Sequence, residues 1–187
     1  MIRLLTLFLL LCFLLVSAGC VPSSRLYKPI SAWEETAFKK ANREIFPDDV
    51  RNDFAAHDSS RIAWPGIVLE AEREHTDSTI IVHFKVEHHY DDWIEDFSIQ
   101  QERIFLSPQG EGLFSTDWYL NPAADTSTLS ESIGSMIIVY GIPTAVVDSV
   151  IDVSAYYVRV IDKQWFATDI FDYGRPGEPV EVLRIPH

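Results

Sequence analysis

The chain has 187 residues, of which 28 are acidic and 15 basic, giving a net charge of −13; 47% are hydrophobic and 12% aromatic. Such a charge repels phosphate backbones and anionic lipid headgroups, which argues against nucleic-acid binding and against a polybasic membrane patch. The aromatic content and the scarcity of Lys argue against general disorder, and the length suffices for one domain with its own core.

The first twenty residues carry the strongest signal. Met1-Ile2-Arg3 is a short basic start, Leu4 to Val16 is apolar apart from Thr6 and Cys12, and Ser17-Ala18-Gly19-Cys20 closes the run with small residues. This is the layout of a secretory signal over residues 1–19, too short and too abruptly ended for a membrane span. A Cys directly after Ala-Gly resembles the lipobox of bacterial lipoproteins, with Ser17 standing where Leu is usual. The resemblance implies cleavage before Cys20, lipidation of its sulfur and palmitate-type acylation of its amine. Cysteine usage agrees. Cys12 leaves with the signal, so Cys20 is the one thiol of the mature chain, no internal disulfide is possible, and acylation would remove a reactive group from an oxidising compartment. Several acyl chains, at about 0.8 kcal/mol per buried CH2, hold a protein almost permanently. By the Gram-negative sorting pattern, Val21 rather than Asp after the lipidated Cys implies the outer membrane, facing the periplasm. Without Arg3 the mature chain has 14 basic against 28 acidic residues, net −14.

Residues 20–30 hold the lipidated Cys and a tether with two prolines and two serines that reaches roughly 35 Å when extended. Ser31-Ala32-Trp33-Glu34 matches a capping box. Trp33, Ala37, Ala41 and Ile45, with Phe38, form an apolar stripe at helical spacing, which predicts an amphipathic helix over 31–46 ended by Pro47. From Arg61 the period becomes two. Ile67, Leu69 and Ala71, then Ile80, Val82, Phe84 and Val86, predict a hairpin around His75-Thr76-Asp77-Ser78. That register sets Arg73 opposite Ile80, Ala71 opposite Val82, Leu69 opposite Phe84 and Ile67 opposite Val86, with Glu70 across from His83. Arg103 to Ser107 reads as a short strand, and Gly112 to Leu120 as another strand or a turn-rich crossing. Asn121 to Ser132 reads as loop. Ser135 to Ile142, almost wholly apolar, predicts a central strand buried on both faces, and Val153 to Ile161 alternates again. The expected fold is mainly β: a small OB-like closed or partly closed barrel over 55–170, an N-terminal amphipathic helix, and an extended tail over 171–187.

Arg61-Ile62-Ala63-Trp64-Pro65-Gly66-Ile67-Val68 resembles the Arg-x-Trp-Gly-Gly-x-Ile opening of Slp-type outer-membrane lipoproteins. Gly134 to Gly141 is similar to their Gly-Arg-x-Val-Thr-Val-x-Gly strand, and Tyr156 to Trp165 to their closing strand. The resemblance spans about residues 55–166 and implies an OB-like barrel on a lipid anchor with no assigned reaction. Pro65, Ser135 and Ile137-Ile138 depart from the pattern, and Gly112 to Asp117 carries its Gly-Phe-Leu-Asp-Pro motif only in distorted form.

The chemistry-bearing clusters are weak. His88 and His89 would point to opposite faces of a strand and His83 lies too far along it, so surface histidines, one beside Glu70, are expected rather than a metal site or cofactor. Asp91, Asp92, Glu95 and Asp96 surround Trp93 and Phe97 in an expected acidic loop; they are the residues an envelope hydrolase or a cation-binding module would use. No Gly-x-Ser-x-Gly, phosphate loop or His-Glu-x-x-His occurs, so no catalytic residue is named. The expectation is a lipid-anchored cell-envelope protein with a binding or structural role. Its partner beside the membrane would be an envelope protein or polymer, met through Trp64, Trp93, Trp118 and Tyr119 in loops.

Overall fold

The computed structural model describes residues 29–76, 78–96, 101–121, 132–161, 163 and 166–168. Cys20, the expected signal over 1–19, most of the expected tether and the expected 171–187 tail lie outside the described residues. Among the described residues, alternating and apolar runs give eight strands: β1 Ile62–His75, β2 Ile80–His88, β3 Asp91–Asp96, β4 Gln101–Leu106, β5 Leu113–Leu120, β6 Met136–Val147, β7 Val150–Ile161 and β8 Phe166–Thr168. Five close into a barrel in the order β1-β2-β5-β7-β6, with β6 returning to β1. All its neighbours are antiparallel except β5 and β7. This Greek-key closure is compatible with an OB-like barrel. The mainly β expectation therefore holds, and of the two readings of Gly112 to Leu120 the strand is the one that forms, over Leu113–Leu120.

The β1–β2 hairpin forms with a tighter turn than its spacing predicts. His75 faces Ile80, Arg73 faces Val82, Ala71 faces Phe84, and Glu72, not Glu70, faces His83. Thr76 closes the turn, its N–H donating to the Thr79 carbonyl at 2.9 Å. Moving the register by two preserves which side chains face inwards. A bulge between Val68 and Glu70 then changes the parity. Val68, 1% exposed, enters the barrel in place of Leu69, which is 39% exposed. Gly66 permits the close approach of the strands below the bulge, since a Cβ there would lie 2.4 Å from the Glu87 carbonyl oxygen.

β6 meets the expectation of a strand buried on both faces. Ile137 and Val139 point into the barrel with Ile62, Trp64, Val82, Phe84, Val86, Phe114 and Val153. Met136, Ile138 and Tyr140 point outwards into a second core with Ala37, Ile104, Leu106 and Ile161. The outer core is roofed by a three-stranded sheet ordered β3-β4-β8, in which β3 and β4 come from the segment between β2 and β5 and β8 from the chain after β7. β4 and β8 pair in parallel, Ile104 facing Phe166.

The expected 31–46 helix is shorter. Helix α1 covers Ala32–Lys40, then Ala41 is extended. Asn42 donates its N–H to the Arg61 carbonyl at 2.7 Å and bridges Ile62, so the opening edge of β1 draws the chain out of the helix. Pro47 does not end this helix; it opens a second, α2 Pro47–Asn52, where its missing N–H costs nothing. A single turn follows, α3 Phe54–His57, with the Asp53 side chain as cap. Val50 of α2, fully buried, plugs the barrel end, and the Trp64 indole N–H donates to the Ile45 carbonyl at 2.8 Å across the same seam.

The α1 face also departs from the expected stripe. Ala37 packs on the outer core, but Trp33 is 81% exposed and Glu34 is fully buried. Ser31 caps the helix by accepting from the Glu34 N–H at 3.1 Å. The Glu34 carboxylate reaches back to the Ile30 N–H at 2.7 Å, and also accepts from Arg159 at 3.2 Å and the Tyr140 hydroxyl at 3.4 Å. A charge this deep persists only when paired and hydrogen-bonded. Burial, and next the Glu34 charge, push the Tyr140 hydroxyl pKa above the ordinary tyrosine value. The network clamps α1 to β6 and β7.

Candidate binding face

The barrel wall facing away from the outer core keeps a polar surface. Outward positions run Glu70, Glu72 and Glu74 on β1, Ile81, His83, Lys85 and Glu87 on β2, and Leu113, Ser115, Asp117 and Tyr119 on β5. Inward neighbours Val82, Phe84 and Val86 are buried, which fixes this alternation. Cross-strand pairs knit the face: Lys85 to Glu70 at 2.8 Å, His83 Nδ1 to Asp117 at 2.6 Å, and His83 Nε2 within 3.6 Å of Glu74. The Ser115 hydroxyl donates to Asp152 of β7. The hydrogen bond to Asp117 is the main cause that raises the His83 pKa; burial opposes it and the Glu74 contact adds to it. Tyr119, 58% exposed, is the most exposed large apolar side chain on this largely polar wall, where Ile81 and Leu113 are partly buried.

At the barrel end plugged by α2 lies an open cleft of about 480 Å³ whose walls include Asp48, Arg51, Glu111, Asp148 and Ser149. Its polar groups are committed to one another. Arg51 holds Asp48 at 2.7 Å and donates to the Glu111 and Ser149 carbonyls; the Glu111 carboxylate accepts from the Asp48 N–H at 2.7 Å and from the Tyr90 hydroxyl. These bonds tie α2, the β4–β5 loop and the β6–β7 turn together, which is a structural clasp. Beside it His88 is fully buried, not a surface histidine. Its Nδ1 accepts from the Glu111 N–H at 3.1 Å, so the neutral ring carries its proton on Nε2, which has no partner among the described residues. Phe46 and Tyr90 meet the imidazole edge to face at 6.1 and 5.3 Å. Desolvation lowers its pKa to about 3, with His89 and Arg51 adding to the effect. A Cβ on Gly110 would fall 1.7 Å from the His88 carbonyl oxygen, so only glycine fits where the loop crosses β2.

The four rings expected as contacts do not form one surface. Trp64 is 1% exposed in the barrel core, edge-on to Phe114 at 5.5 Å, and cannot touch a partner; its place in a strand gave it an inward position. Trp118 is half-buried and stacks on Phe84 at 6.5 Å. Trp93 lies in β3 opposite Ile104, on a strand and not in a loop. Tyr119 alone of the three rings whose side chains are described is well exposed. The acids Asp91, Asp92, Glu95 and Asp96 likewise fall on β3 rather than in a loop. The expected pairing of His83 with Glu70 is replaced by Asp117 and Glu74, and Glu70 takes Lys85. His89 Nδ1–H donates to the Ser107 carbonyl at 2.8 Å. Among the described residues no three His, Cys, Asp or Glu side chains stand where they could hold a metal ion, and no helix is long and apolar enough to cross a membrane. Sequence reasoning missed the Glu34 clamp and the buried His88; the capping-box spacing marked Glu34, but nothing in the sequence alone marked its burial. No family model matches this chain, and no curated protein matches it.

Proposed function

We propose that this chain is a lipid-anchored cell-envelope protein of the Slp type, held at a membrane surface, the outer membrane in a Gram-negative host, by acylated Cys20. The observation that carries the reading is the sequence from Arg3 through the apolar run to Ser17-Ala18-Gly19-Cys20, together with the lone thiol of the mature chain. The barrel works by binding or by structural support. The wall formed by β2 and β5 corresponds to the second and third strands of an OB-like barrel, the surface on which such barrels commonly take extended ligands. Its carboxylates favour a neutral or basic envelope protein or polymer over a phosphate-rich one. Tyr119 is the contact this surface offers; Trp64 belongs to the core and has no part in it.

Mass spectrometry of the intact protein extracted from membranes tests the anchor. The expected mass begins at Cys20 and carries a diacylglyceryl group and an N-acyl chain. A mature chain with an unmodified thiol, free in the soluble fraction, would overturn the proposal. For the binding wall, a photo-crosslinker at position 119 is expected to capture an envelope component that the same probe at the buried position 84 does not.

A further inference from the structure

We infer that the start of α1, with Ile30 and Trp33 foremost, rests in the headgroup region of the bilayer and sets the orientation of the barrel above the membrane. The inference rests on the lipid-anchor reading and deepens it from attachment to orientation.

Three observations carry it. First, Trp33 and Ile30, 81% and 69% exposed, are the two most exposed large hydrophobic residues among those described, and they are three positions apart. They sit where the chain departs towards Cys20, ten residues before Ile30, a reach of roughly 35 Å at most. A tether this short holds the patch near the membrane at an effective concentration on the order of millimolar, so even weak adsorption is populated.

Second, α1 cannot turn to hide them. Its buried side is fixed by Ala37 in the outer core and by the Glu34 bonds to Arg159 and Tyr140, which leaves Trp33 on the exposed flank. Trp33 therefore shares the outward face with Thr36 and Lys40, three and seven positions on. A Trp with a Lys one or two turns away suits the interface, where the indole lies among headgroups and the ammonium reaches to water.

Third, the net charge hides an uneven distribution. From Cys20 to Arg43 the chain has five basic residues, Arg25, Lys28, Lys39, Lys40 and Arg43, against Glu34 and Glu35, net +3; the remaining mature chain has nine basic against 26 acidic, net −17. An anionic surface attracts the first part within about a Debye length and repels the second. The same field that pulls α1 down turns the acidic barrel wall outwards.

Tryptophan quenching reads the contact. The acylated full-length protein is reconstituted into vesicles of phosphatidylethanolamine and phosphatidylglycerol carrying brominated acyl chains, and the mass of each sample is checked for the lipid on Cys20. Wild-type emission is expected to lose a component relative to unbrominated vesicles. That loss should be absent in Trp33→Phe and reduced in the Lys39→Glu/Lys40→Glu double variant. Acylated protein with unquenched Trp33 overturns the inference and leaves the anchor standing. A Trp33 emission that is blue-shifted yet unquenched means that protein covers it, a second copy or another partner, and also overturns it. Missing lipid on Cys20 brings down the anchor reading and this inference together.

Discussion

Removing the Glu34 carboxylate is the severest single test of how the N-terminal helix is held. Glu34→Ala strips an acceptor from the Ile30 N–H, the Tyr140 hydroxyl and the Arg159 guanidinium, whose side chain is only 13% exposed. Deleting one partner of a buried ion pair costs about 3–5 kcal/mol, because the remaining charge stays out of water. The residual exposure of Arg159 places the cost at about 3 kcal/mol. For a chain of this length, each kcal/mol is about 2–4 °C, so the midpoint should fall by roughly 6–12 °C. Thermal and urea unfolding followed by circular dichroism would measure it. Glu34→Gln keeps an oxygen for the Ile30 N–H and should lose about half as much. Glu34→Leu with Arg159→Met, which removes both charges, should recover most of the loss. Hydrogen exchange localises the effect, since the Glu35 and Ala41 amides, bonded within α1 to Ser31 and Ala37, should lose protection first. A Glu34→Ala protein within about 1 kcal/mol of wild type would refute the clamp and the fixed orientation of Trp33 with it.

Three further outcomes follow from the geometry. His88 is held neutral with its pKa lowered from 6.5 to about 3, so the unfolded chain binds its proton first as the pH falls; stability is full above about pH 6.5 and declines towards pH 3, by roughly 1 kcal/mol per pH unit, and His88→Phe should flatten that part of the urea-midpoint profile. His83 behaves oppositely: its raised pKa gives a contribution present below about pH 6.5 and lost as pH rises through the folded value, and Asp117→Asn should move its imidazole NMR titration back down. The β6–β7 turn holds Asp148 at φ 49° and Ser149 at φ 69°, the left-handed pair a two-residue hairpin requires, so Ser149→Gly should raise stability by about 1 kcal/mol in the same unfolding assay.

What could be read from residues alone followed the scale of the interaction. The apolar run from Ser135 to Ile142 marks the doubly buried part of β6, because burial on both faces leaves no polar positions to blur it; the strand runs on to Val147, where its side chains become exposed. The hairpin was legible in its partners but not in its register. A two-residue slide preserves every inward side chain, so the hydrophobic pattern cannot tell the two arrangements apart. The bulge between Val68 and Glu70 was hidden for the same reason, as Val68 and Leu69 are equally apolar and only closure of the barrel selects between them. Helix α1 showed its cap but not its length; the pairing of Asn42 with β1 is a long-range contact that outweighs local periodicity. Trp64 looked like a contact because aromatic side chains serve both cores and surfaces. His88 looked exposed because a histidine's burial depends on groups from distant segments, here the Phe46 ring and the Glu111 backbone.

The double duty of β6 has a consequence for how the molecule comes apart. One ribbon forms the wall of the sealed interior on one side and the floor of the roofed compartment on the other, with Ile137 and Ile138 in successive positions belonging to different bodies. Neither compartment can drain without stripping a side of the partition they share. Barrel, roof and α1 therefore melt as a single cooperative event, although the strands belong to two separate sheets.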